Sequence, residues 1–118
     1  MSTNASQVVD EETFTMLQEL MADEFAELLD FFHKDVTAAL TELPVCVQQA
    51  DTAQVGAICH KLKSSSKLIG AFNMAEFARL LEEFKDDHDQ PRASEHLRQL
   101  AAEYAQVLVW LESRQVSA

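Results

Sequence analysis

The chain has 118 residues, a net charge of −11 and 47% apolar residues, with only two Gly and two Pro. That length suits one domain with one hydrophobic core, and the apolar share excludes a disordered chain. The acidic balance excludes the basic footprint of a nucleic-acid binder and docking on anionic membranes, and no apolar run is long enough to span a bilayer.

Residues 1–9 are small and polar and are expected to form a flexible amino terminus. The opening "MSTNASQVVDEE" lacks the basic and apolar regions of a secretory signal. Asp10-Glu11-Glu12 then opens a short helix, since acidic side chains suit the positive end of a helix dipole. Phe14, Leu17, Leu20 and Met21 give that helix one apolar stripe. A second helix is predicted from near Asp23, with Phe25, Leu28, Leu29, Phe32, Val36 and Leu43 in helical register. Pro44 is expected to kink it rather than end it, because Val45–Ala50 resumes the pattern. Asp51 followed by Gln54 has the form of a capping box, so a third helix starts at Thr52 and stops at Gly70-Ala71. Asn73 with Glu76 reads as a further cap, opening a fourth helix through Phe84. "KDDHDQP" is a polar connection, and Pro91 suits the first turn of a last helix that ends near Leu111, with Trp110 at its edge.

No strand pattern or repeat is present, and so few breakers leave little room for tight turns. The fold class is all-α: an antiparallel four-helix bundle with a short additional helix at its amino terminus. Cys46 and Cys59 form no CxxC and fall within apolar helical pattern, which points to reduced thiols and a cytoplasmic protein.

The third helix carries the chemistry. His60, Lys63, Ser64 and Lys67 stand at i, i+3, i+4 and i+7 and share one face, with Gly56 a turn before His60. Cys59 and Leu62 point to the core, so the imidazole is expected to face solvent. A mid-helix glycine costs roughly 1 kcal/mol against alanine. Here it lowers the surface beside the ring for an incoming partner. Between Thr52 and Ala75 there are three Lys and no Asp or Glu. Such a cationic patch on an acidic body attracts an anion such as a phosphoryl group. Spacing alone leaves this reading level with a bland one, in which His60 is an incidental surface residue among solvating lysines.

The run "ICHKLKSSSKLIGAFNMAEFARLLEEF" resembles the signature of histidine-containing phosphotransfer (HPt) domains. The matching residues are His60, Leu62-Lys63, the small Ser64, Gly70-Ala71 before the next helix, and Leu81-Glu82 near that helix's end. The resemblance extends more loosely to "EFAELLDFFHKDVTAALTEL" and the Asp51 cap. One departure is Ser64, where the family often has Gly; its hydroxyl is in position to hydrogen-bond the imidazole.

The resemblance implies a phosphoryl carrier and not an enzyme. A response-regulator receiver domain would present a phospho-aspartate and its own Mg²⁺, so no cofactor is expected on this chain. His60 would take the group on Nε2 and pass it to another receiver, since imidazole is in good part nucleophilic near neutral pH. Lys63, Lys67 and Ser64 would steady the phosphoryl charge. The expected partners are receiver domains and a hybrid sensor histidine kinase, met by a free-standing monomer of residues 10–118, without nucleic acid or membrane. Phe31 is a candidate docking residue because it lies off the main stripe of the second helix. It fits packing against the first helix equally well, and Ile58 has the same two readings.

No metal ligand set is evident around His33, His88 or His96, and "DDHD" reads as a solvated loop. Cys59 and His60 diverge by about 100° on the helix, which disfavours a thiol–imidazole pair. No ATP-binding glycine loop is present. The alternative function is a non-catalytic helical module that sequesters a receiver or other signalling partner without phosphotransfer.

Overall fold

Seven buried Val, Phe, Leu, Ala and Cys side chains of one long amphipathic segment, among them Phe32, Val36 and Leu43, turn one of its faces into the core. The computed structural model describes residues 7–114. In chain order these form α1 (Glu11–Met21), a 3-10 turn (Ala22–Glu24), α2 (Phe25–Gln48), α3 (Thr52–Ile69), α4 (Phe72–Glu82), the single turn α5 (Phe84–Asp87) and α6 (Gln90–Ser113). Helices α2, α3, α4 and α6 pack in a closed cycle as an antiparallel bundle, and α1 lies against α2 and α3. Among the described residues there is no strand, and no helix is long and apolar enough to cross a membrane.

Helix ends follow local chemistry. The Asp10 carboxylate caps α1, accepting from the Thr13 amide at 3.0 Å and the Thr13 hydroxyl at 2.6 Å, and these bonds lower its pKa. Asp51 caps α3 by accepting from the Gln54 amide at 3.2 Å. The reciprocal half of the expected capping box is not made. The Gln54 side chain donates to Glu42 at 3.3 Å, and the Asp51 amide donates to the Cys46 carbonyl at 2.8 Å. Asp89 caps α6, with Pro91 in the first turn as the sequence suggests.

Gly70 ends α3 in the left-handed region at φ 91°. Its amide donates to the Lys67 carbonyl, and the Ala71 amide donates to Ser66 at 2.8 Å, which satisfies carbonyls the helix leaves open. The Gly70 carbonyl accepts from the Asp10 amide at 2.8 Å, so the same turn also holds the start of α1.

Three expectations are corrected. Asp23 falls in the 3-10 turn, and α2 proper begins at Phe25. Asn73 is not a cap: α4 begins at Phe72, and the Asn73 amide group donates to the Gln7 carbonyl at 3.2 Å. Of the flexible stretch expected over residues 1–9, residues 1–6 lie outside the described residues. Residues 7–9 are held against the bundle, with Val9 buried. Pro44 sits inside a continuous α2, exposed to solvent. The helix carries on because Leu43, Cys46 and Val47 on either side of the proline are all buried.

The core closes around α3. Val55, Cys59, Leu62 and Ile69 are buried along its inner face, each worth on the order of 1–3 kcal/mol of burial. Burial, reinforced by the Glu82 charge, pushes the Cys59 thiol up to about 12, so it stays an inert core group. At one end Phe14 stands edge-on to Phe25 at 5.1 Å and to Trp110 at 4.8 Å. Trp110 is partly buried at the edge of α6, as its place off the stripe implies.

Candidate functional site

Because Cys59 and Leu62 are fixed in the core, His60 projects from the middle of α3 with its side chain 68% exposed. Lys63 follows one turn later. The last turn of α4 runs beside this stretch and delivers Glu82, whose side chain is only 12% exposed. Lys63 Nζ donates to Glu82 Oε1 at 3.0 Å. Glu82 Oε2 accepts from Lys85 Nζ at 3.3 Å and lies 3.6 Å from His60 Nδ1.

At 3.6 Å the imidazole contact is electrostatic rather than a formed hydrogen bond. The carboxylate favours a proton on Nδ1, which leaves the Nε2 lone pair on the far, solvent-facing edge. Burial by itself would raise the Glu82 carboxyl. The hydrogen bonds and charges of Lys63 and Lys85 outweigh it, and the net shift is downward. The group is therefore an anion across the neutral range, beside the His60 ring.

A family model for the Hpt domain matches residues 12–110. The chain belongs to the Hpt domain family. This Hpt domain is 30% identical to histidine-containing phosphotransfer protein B from Pseudomonas aeruginosa PAO1. The match covers 92% of this chain and 95% of that one, with a TM-score of 0.84. It is 26% identical to a histidine-containing phosphotransfer protein from maize, over 97% of this chain and 94% of that one, with a TM-score of 0.83. A Medicago truncatula phosphotransfer protein, 23% identical over 95% of this chain and 80% of that one, shares the fold with a TM-score of 0.80. No curated protein matches the chain in sequence.

Within the Hpt domain the predicted site residues separate into three groups. His60 and Lys63 meet at Glu82, as described. Ser64 stands on the same face, but its hydroxyl donates to the His60 backbone carbonyl at 3.3 Å, not to the imidazole. The helix itself supplies that acceptor one turn back, a common fate of a mid-helix serine. Lys67 is exposed and forms no ion pair among the described residues; its charge helps lower the Glu76 carboxyl on α4.

Gly56 departs from expectation. It is buried, and the space where a side chain would stand is filled by the stem of Lys85. It is not open surface left for a partner. Phe31 is 56% exposed and stays outside the core cluster, so it does not pack into the core with α1. Ile58 is partly buried, packs on the core, and lines a shallow cavity of about 160 Å³ between α2 and α3 with Asp35, Glu42 and Lys61. His33 is engaged by the Tyr104 hydroxyl at 2.5 Å. Among the described residues no group of three or more His, Cys, Asp or Glu is placed to hold a metal.

Glu82 and Lys85 were missed by reasoning along the α3 wheel. The signal for Glu82 was present in the Leu81-Glu82 pair of the signature, but nothing in helical periodicity aims it at His60.

The lowered Glu82 pKa has a consequence for stability. A carboxyl depressed in the folded state stabilises above its ordinary value of 4.5, and that contribution is lost as pH falls through the folded value. Glu82→Gln is expected to destabilise by about 1–2 kcal/mol at pH 7, since both Lys partners keep partial access to water. In denaturant titrations the gap between the two proteins should narrow below pH 4.5. A gap of constant size down to pH 3 would contradict an ionised Glu82 as its source.

Proposed function

We propose that the protein is a phosphorelay carrier, accepting a phosphoryl group on His60 from a receiver-domain aspartate and handing it to another receiver. The observation that carries this reading is the exposed imidazole with Nδ1 turned to the buried Glu82 carboxylate. In the transfer, the Nε2 lone pair attacks phosphorus in line. The N–P bond forms as the P–O bond to the aspartyl carboxylate breaks, and the electron pair leaves with that carboxylate. The ring keeps its Nδ1 proton and becomes cationic, and Glu82 stabilises the new charge, much as an aspartate supports histidine in hydrolytic triads. Reversal onto a second receiver needs only the same groups.

The receiver is the source of Mg²⁺ in this reading. Lys63 serves first as the Glu82 partner and keeps two further N–H donors for the phosphoryl oxygens. Lys67 lies about 10 Å along the helix from His60, within reach of a long side chain extended toward a transferred group. Ser64 contributes by being small. Phe31 and Ile58 offer apolar area for docking near the α2–α3 seam, and a hybrid sensor kinase would be the source upstream. The protein acts as a monomer, residues 10–118 forming the phosphotransfer domain.

The test is incubation with a receiver domain carrying labelled phospho-aspartate and Mg²⁺. Label should appear on the chain, stable to alkali and labile to acid, and map to His60. Stable binding of the receiver with no label taken up would instead establish a sequestering module.

A further inference from the structure

Lys85 occupies a slot that α3 leaves open for it. A methyl group on Gly56 would stand 3.0 Å from Lys85 Cδ and 3.4 Å from Lys85 Cβ, so the lysine stem lies against bare helix backbone. From that seat Nζ reaches Glu82 Oε2 at 3.3 Å, the oxygen that also faces His60 Nδ1 at 3.6 Å. Lys63 holds the other oxygen. An ammonium and an imidazole therefore share one carboxylate oxygen.

We propose that Lys85, seated over Gly56, is a positioning residue that sets how strongly Glu82 holds His60 Nδ1, and hence which ring nitrogen carries the proton in the resting protein. An ammonium on Oε2 draws the carboxylate's charge away from the ring. Removing it leaves Oε2 to Nδ1 alone and favours the tautomer protonated there. With Lys85 in place the carboxylate does not lock onto the ring, a condition for a transfer that runs in both directions. That consequence rests on the carrier reading, whereas the placement of the proton is a property of this chain alone.

The test reads the ring ¹⁵N shifts of His60 at a pH where the imidazole is neutral. Lys85→Met keeps the stem in its slot and removes the ammonium. The ratio of Nδ1-protonated to Nε2-protonated ring should rise about threefold, the effect of withdrawing one nearby charge. Gly56→Ala presses a methyl against Lys85 Cδ at 3.0 Å, so the stem must shift, and the ratio should move in the same direction by a smaller amount. In a Lys85→Ala background Gly56→Ala should add nothing, because there is no stem left to displace. Lys85→Arg should return the ratio toward wild type. Far-UV circular dichroism confirms that each variant is folded.

Unchanged ring shifts in Lys85→Met overturn the proposal. So does a Gly56→Ala effect that persists undiminished without Lys85. Failure of wild type to take label from any receiver would remove the carrier reading, yet the ring-shift series would still decide the role of Lys85.

Discussion

His60→Gln is expected to abolish phosphoryl acceptance while leaving the fold and receiver binding intact. Glutamine keeps similar bulk and a polar tip but has no nucleophilic nitrogen, so no N–P bond can form. The side chain it replaces is 68% exposed and, among the described residues, forms no hydrogen bond through its ring, so stability should move by less than about 0.5 kcal/mol. Labelling from a phosphorylated receiver should fall to background, and a binding isotherm for the unphosphorylated receiver should overlay that of wild type. Equal labelling of variant and wild type would remove His60 as the acceptor. Loss of binding together with label would mean that the substitution acts through docking rather than chemistry.

The largest stability effect is expected at Gly70. Its φ of 91° lies where L side chains are strained, at roughly 1–2 kcal/mol for alanine. An added Cβ would also stand 2.9 Å from the Asp10 carbonyl oxygen and 3.1 Å from Thr13 Cβ. Neither neighbour yields easily, since Asp10 is backbone and Thr13 is tied to the α1 cap. Gly70→Ala should therefore destabilise by about 3 kcal/mol, lowering the melting temperature by roughly 10–15 °C in a domain of this size. Thermal unfolding followed by circular dichroism measures it directly. A loss under 1 kcal/mol would show that α1 can move away from the α3–α4 turn at little cost.

The bundle and the acceptor were readable because both depend on one helix at a time. Apolar residues every three or four positions place His60 outward and Cys59 inward without reference to any other segment. What the wheel does not contain is the neighbouring element. Gly56 falls on the His60 face of an isolated α3, yet Lys85 from α5 covers it. Glu82 lies 22 positions beyond His60 and becomes its closest carboxylate only because the end of α4 packs beside the middle of α3. Ser64 went to a backbone carbonyl for a different reason, since a hydroxyl takes the acceptor its own helix presents first. Asn73 looked like a cap by residue type, but the turn at Gly70-Ala71 brings the chain into α4 one residue earlier and leaves the amide to hold Gln7.

The seat of α1 also bears on the order in which the molecule is assembled. Phe14 meets Phe25 nearby in the chain but needs Trp110 to complete its surroundings, and Glu11 is paired with Arg114. Helix α1 thus waits for the far end of α6 before its contacts are complete. Pairings between segments far apart in sequence are slow to close, so α1 is expected to dock after the four bundle helices have met. A helix that precedes the whole bundle in sequence would then be the one that completes its core.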